Sequence, residues 1–139
     1  SKNVNDSRTG VFLHDISTHL RDITDGTSNT VVIGERAFKY TAGTTVVTSR
    51  AGNVLVSSSR SGNIFDCSGD GNCATDVVGA LGYYTPNSGR ARSGFSSLHP
   101  GGAQFALGDG KVTFLSENID LVVASHLARK QDGQAVRVP

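Results

Sequence analysis

The chain has 139 residues, enough for a single domain with one modest core and too few for two ordinary ones, so residues 1–139 are read as one globular domain. Hydrophobic residues make up 37% and charged residues 18%, both lean, and the 17 glycines take up part of the difference, a balance that favours short strands joined by many turns. The net charge is +1 with Lys and Arg scattered, which argues against a nucleic acid or an anionic membrane as partner, and the longest apolar stretches, such as Leu121 to Ala124, fall far short of the roughly 18 to 20 residues that span a bilayer.

Residue 1 is Ser and the sequence holds no Met, so the expectation is a processed or truncated product whose targeting segment is missing. Taken in order, the chain predicts short extended pieces around Val11 to Leu13 and Ser17 to Ile23, then a turn over Thr24 to Asn29, where Gly26 tolerates positive φ and Asp25, Ser28 and Asn29 bond nearby amides. A β-branched strand starts at Thr30 and reaches Phe38 or Tyr40. Thr44 to Ser49 and Asn53 to Ser58, joined by Arg50-Ala51-Gly52, predict a peripheral hairpin.

Residues 59–76 carry almost no apolar side chains and read as a long surface loop. Within it, Asp66, Ser68, Asp70 and Asn72 alternate with Gly71 at the sixth place, partly like the start of a Ca²⁺-binding EF-hand loop. The twelfth place is Val77 where a Glu is needed, although Asp76 one place earlier offers an oxygen, so an ordinary polar loop is the preferred reading and a Ca²⁺ site the alternative. Cys67 and Cys73 lack further Cys or His nearby for a zinc site, and an oxidising compartment favours a disulfide between them. The four histidines show no ligand spacing, and no phosphate loop or dinucleotide fingerprint occurs, which disfavours a nucleotide-dependent enzyme.

Val77 to Tyr84 predicts a strand and Pro86 to Gly94 a loop. The strongest local signal is Asp109-Gly110 between apolar arms, which predicts a hairpin from Ala103 to Leu115 with a type I′ turn, Leu107 opposite Val112 and Phe105 opposite Phe114, both pairs facing the core. Asp120 then caps a helix from Leu121 to about Lys130, ended by Gly133, with Leu121, Val122, Ala124, Ser125 and Ala128 as packing positions.

His99 and Asp109, with Ser96 or Ser97 as nucleophile, invite a catalytic reading. A strand rising about 3.3 Å per residue between them holds the His and Asp apart. The structural reading is therefore preferred, with Asp109 shaping a turn and His99 bonding locally, and no enzyme is expected.

His99, nine residues, then Asp109-Gly110 resembles the H-X9-DG element of prepilin-type proteins, abundant in planctomycetes; Asp22 to Thr30, including Asp25-Gly26, and Ile119 to Arg129 are similar to two further elements of that family. The stretch from about Lys39 to Arg92 carries no family signature. The resemblance implies an α+β fold: a pilin-like head with an antiparallel β-sheet and a short C-terminal helix, with a long apolar N-terminal helix that this chain lacks. It also implies a structural subunit of a type II secretion pseudopilus or type IV pilus-like extracellular filament. Such a subunit is extracytoplasmic, at the cell surface or in the periplasm, anchored in the membrane before assembly, and its partners are copies of itself or other pilin-like subunits. The alternative is a surface or periplasmic solute- or glycan-binding module, with Tyr40, Tyr83 and Tyr84 as the tyrosines available to line a site.

Overall fold

β-branched and aromatic runs form seven strands in two sheets, with one α-helix, among the residues that the computed structural model describes: 10–12, 17–48, 55–57, 78–81, 84–89, 94–134 and 136–138. In chain order they are β1 (Val31–Gly34), β2 (Lys39–Ala42), β3 (Thr45–Thr48), β4 (Leu55–Ser57), β5 (Val78–Ala80), β6 (Gly102–Leu107), β7 (Val112–Ser116) and α1 (Leu121–Leu127). The larger sheet has the order β5-β4-β1-β6-β7 and the smaller pairs β2 with β3. All pairings are antiparallel except β4 with β5, which run parallel, so the architecture is α+β with a mixed main sheet.

The Val31-to-Tyr40 region is not one strand. Beyond Gly34 the backbone changes partner: Glu35 N donates to Gln104 O at 2.9 Å, then Arg36 bridges Ser96 in parallel and Ala37 N donates to Ser96 O at 2.9 Å. The chain thereby leaves the main sheet and re-enters extended structure as β2. A two-residue turn, Gly43-Thr44 with Gly43 at φ +59°, folds β3 back onto β2 in the register Lys39↔Thr48 to Ala42↔Thr45. The expected hairpin of Thr44 to Ser49 with Asn53 to Ser58 therefore does not form. The shorter loop wins β3, and β4 pairs instead with β1 (Ile33↔Leu55) and β5, inside the main sheet.

The β6–β7 hairpin forms, but one residue away from the expected register. Ala106 faces Val112 and Gln104 faces Phe114. Leu107 N donates to Lys111 O and Gly110 N to Leu107 O, so the loop is Gly108-Asp109-Gly110 with only Gly110, at φ +87°, in the positive region. That is a three-residue turn with a glycine bulge, not a type I′ turn. Since side chains alternate, the slip turns one arm over. Phe105 is 1% exposed, whereas Phe114 is 45% and Val112 59% exposed, and Leu115 takes the core place instead.

The core lies on the inner face of the main sheet: Val31, Ala103, Phe105, Leu107 and Leu115 meet Leu81, Phe95 and the α1 side chains Ala124, Leu127 and Ala128. Phe95 and Phe105 meet edge to face with centroids 5.1 Å apart. Asp120 caps α1 as expected, its Oδ1 accepting from Val122 N at 2.7 Å and Val123 N at 3.1 Å. The helix is shorter than predicted, ending at Leu127, because Arg129 bridges Gly10 in extended geometry; Leu121 and Val122 are exposed, not packed. Ser17 to Ile23 is not extended either: Leu20–Asp22 is a 3₁₀ turn in which Asp22 Oδ2 accepts His19 N at 2.8 Å. Among the described residues no helix is long and apolar enough to cross a membrane.

Candidate functional site

Two places gather the residues that the sequence singled out. The first is a clasp between the Thr24-to-Asn29 turn and the chain after α1. Asp25 is 8% exposed, and its carboxylate accepts Asp132 N at 2.6 Å and Gly133 N at 3.0 Å, while Asp25 N donates to Lys130 O. The expected local use of this side chain is thus replaced by a contact spanning the domain. Gly26, at φ +97°, takes the positive-φ position that follows it in this turn. Asn29 Nδ2 donates to Asp25 O at 3.2 Å, Thr30 Oγ1 lies within bonding reach of both Gly26 O and Arg129 O, and Lys130 Nζ donates to Thr18 Oγ1 at 3.2 Å.

Asp132 extends the clasp. His126 Nδ1 lies 2.6 Å and Arg129 Nη1 3.5 Å from its Oδ2, and Oδ1 accepts Gln134 N at 2.8 Å. Burial pushes this carboxyl up, but the His126 hydrogen bond, the Gln134 amide, the His126 charge and Asp25 outweigh it and hold it below the ordinary 3.8. A depressed folded value means that the stabilisation is complete above 3.8 and is lost as pH falls through the lower folded value. The urea midpoint is therefore expected to fall on acidification from neutral pH to about pH 2, and Asp132→Asn to flatten that dependence while lowering the midpoint at neutral pH. An Asp132→Asn variant with the parent's pH profile would remove this group from the account.

The second place is the turn ahead of β6. Ser97 is buried, its Oγ donating to Gly102 O at 2.5 Å and accepting His99 N at 2.9 Å. The exposed His99 ring points to a different neighbour, with Nε2 at 3.5 Å from Glu35 Oε1. Glu35 Oε2 in turn accepts Gln104 N at 3.0 Å. Ser96 Oγ is held by Ala37, and Asp109, at the far end of β6, accepts Lys111 N at 2.9 Å inside its own turn. Ser97, His99 and Asp109 thus each serve backbone or ion-pair geometry, and no hydrogen bond relates them as nucleophile, base and orienter.

Beside this turn lies an open cleft of about 700 Å³ between β2, the 85–88 loop and the 97–101 turn, with Lys39, Asn87, His99 and Glu117 among its polar lining. Asn87, at φ +58°, uses both ends of its amide: Oδ1 accepts Ser97 N at 2.9 Å and Nδ2 donates to Gly102 O at 3.3 Å. Tyr40 borders the cleft but is only 3% exposed; burial raises its phenol, with the Arg36 charge and the Gly89 amide offsetting part of this. Tyr84 is half-buried outside the lining, and Tyr83 lies outside the described residues.

Asp22, Asp25 and Asn29 spend their oxygens on protein amides or, for Asn29, its amide on a carbonyl, and among the described residues no group of His, Cys, Asp and Glu is arranged to hold a metal ion. The possible Ca²⁺ ligands Asp66, Ser68, Asp70, Asn72 and Asp76, and the cysteines Cys67 and Cys73, lie outside the described residues. Asp132, His126, Asn87 and Glu35 were missed in the sequence. Glu35 meets Gln104 and His99, and Asp132 N meets Asp25, only across the fold, whereas His126 and Asn87 find partners 6 and 10–15 residues away without any recognisable spacing; only Asp132-Gly133, an Asx-Gly pair after a helix, carried a local sign.

A family model described as Protein of unknown function (DUF1559), SBP_bac_10, matches residues 2–122. The match runs through Lys39 to Arg92, where the sequence reading found no family signature. No curated protein and no solved structure matches the chain.

Proposed function

This chain belongs to the family described as Protein of unknown function (DUF1559), and from that premise we propose that it is the head of a prepilin-type, pilin-like subunit of an extracellular filament, of the type II secretion pseudopilus or type IV pilus-like kind. The observation that carries the reading is the outer face of the main sheet. Ile33, Ala106 and Val112 stand in one cross-strand row on β1, β6 and β7, with Phe114 beside them, and Ile33 is 46% exposed. A row of β-branched and aromatic side chains left open on a sheet suits coverage by another apolar element, which a neighbouring subunit or an apolar helix upstream of this head supplies.

The H-X9-DG element has a mechanical part in this reading. Its His end is tied to Glu35 and its Asp-Gly end closes the β6–β7 turn, so the element fixes the two strands whose outer faces carry Ala106, Val112 and Phe114. The subunit works outside the cytoplasmic membrane and partners copies of itself or other pilin-like chains.

Electron microscopy of the full-length gene product tests the proposal. Filaments are expected from the parent, and Ile33→Asp is expected to abolish them while leaving the circular dichroism of the head unchanged, since the side chain is already half in water. Solitary particles from the parent at every concentration would sink it. The alternative, a solute- or glycan-binding module, draws on the cleft beside His99, whose volume of about 700 Å³ falls in the small-molecule range. Among the described residues Tyr40 is the one tyrosine that borders it, and it is buried, so its ring gives a sugar no open face to stack on. Saturable heat of binding from a glycan panel, lost in His99→Ala, would favour this alternative instead.

A further inference from the structure

β7 is the last strand of the main sheet, with no strand beyond it among the described residues. Edge strands of soluble proteins are usually protected by a charge within the strand, a proline or a bulge. β7, Val112-Thr113-Phe114-Leu115-Ser116, has none of these, and its charges, Lys111 and Glu117, stand immediately outside its two ends.

The backbone fixes which groups the edge offers. Leu107 N donates to Lys111 O at 2.8 Å and Glu117 N to Gly101 O at 2.8 Å, so the odd-numbered residues of this stretch turn their amides and carbonyls toward β6. Val112, Phe114 and Ser116 then direct theirs to the open side. Of these groups, Ser116 O is already taken by Ile119 N at 3.1 Å.

We propose that β7 is a self-pairing edge, through which two copies of this chain join antiparallel about a two-fold axis at Phe114. In this register each Phe114 exchanges both backbone bonds with its counterpart, and each Ser116 N–H meets Val112 O of the other copy. Lys111 of one copy falls opposite Glu117 of the other, twice over, at the non-hydrogen-bonded positions where facing residues come closest. Shifting the axis by one residue sets Lys111 against Leu115 or past the end of the strand and shortens the overlap. The charge pattern therefore selects one register, and an isologous contact of this kind is self-complementary. It is independent of the filament reading, because a two-fold contact closes after two copies whereas a fibre needs one that does not close.

Sedimentation equilibrium of the chain over a wide concentration range tests the pairing. A monomer–dimer equilibrium is expected. Lys111→Glu and Glu117→Lys, each at an exposed position, are each expected to weaken it by about tenfold, and the double variant to restore it to within about threefold, because both pairs are re-formed with signs exchanged. Hydrogen exchange at the Phe114 and Ser116 amides is expected to slow as concentration rises. A chain that stays monomeric throughout, or single and double variants that dimerise alike, would overturn the proposal. Filament formation by the full-length protein is read separately by microscopy, so either result leaves the other distinguishable.

Discussion

Gly102→Ala is expected to destabilise the domain by about 3 kcal/mol, lowering Tm by roughly 10 °C. A Cβ on Gly102 runs into the carbonyl oxygen of Leu115 and comes within 2.9 Å of both Leu115 C and Phe114 Cε1. The obstacle is the backbone of the neighbouring strand, which has no rotamer to escape into. Gly102 O is also fixed from the other side by Ser97 Oγ and Asn87 Nδ2, so the residue has no room to retreat. Gly101→Ala is the matched control: its φ of +84° imposes strain of about 1 kcal/mol, but nothing lies within 4 Å of the added carbon. Thermal unfolding of the two variants side by side decides the matter, and equal losses would show that close strand approach is not what requires Gly102.

Asp25→Ala is expected to cost about 2–4 kcal/mol, read as a lower urea midpoint with an unchanged slope. The carboxylate is buried and receives two backbone amides from a segment 107 and 108 residues away, so its loss leaves both amides without their acceptor and frees the chain after α1. Asp25→Asn keeps one acceptor oxygen and is expected to fall between parent and Ala. Hydrogen exchange separates this local effect from a global one, because the Asp132 and Gly133 amides are expected to lose protection first. If those amides stay protected in Asp25→Ala, the clasp is not held by this side chain.

How far the sequence was legible depends on how local each signal was. The Asp120 cap, the Asp109-Gly110 hairpin and the β-branched start at Thr30 to Ile33 are written in adjacent residues, and all three appear in the fold. The hairpin register was not legible, because Gly108-Asp109-Gly110 supports both a two-residue and a three-residue turn. The choice between them rests on which arm residue, Phe114 or Leu115, finds a place against Leu127 and Phe95, and neither of those is a sequence neighbour. The partner of β3 was not legible for a related reason: two extended runs, Lys39–Ala42 before it and residues 53–58 after it, compete for β3, and loop length decides.

The candidate site divides along the same line. Asp25, Gly26, His99, Asp109 and Gly110 stood out as an ordered set, and all five lie within residues 2–122, the span of the family match. What each does was settled by partners the sequence does not place: Asp25 by the amides of Asp132 and Gly133, His99 by Glu35.

The sequence by itself determined the class of building block: short strands, frequent glycine turns, a capped terminal helix, and scattered Lys and Arg. Tertiary structure alone decided which faces are buried, which strand ends the sheet and which distant amides a buried carboxylate holds. Propensity and turn chemistry act over a few residues. Burial and hydrogen-bond satisfaction are resolved only when segments far apart in the chain compete for the same surface.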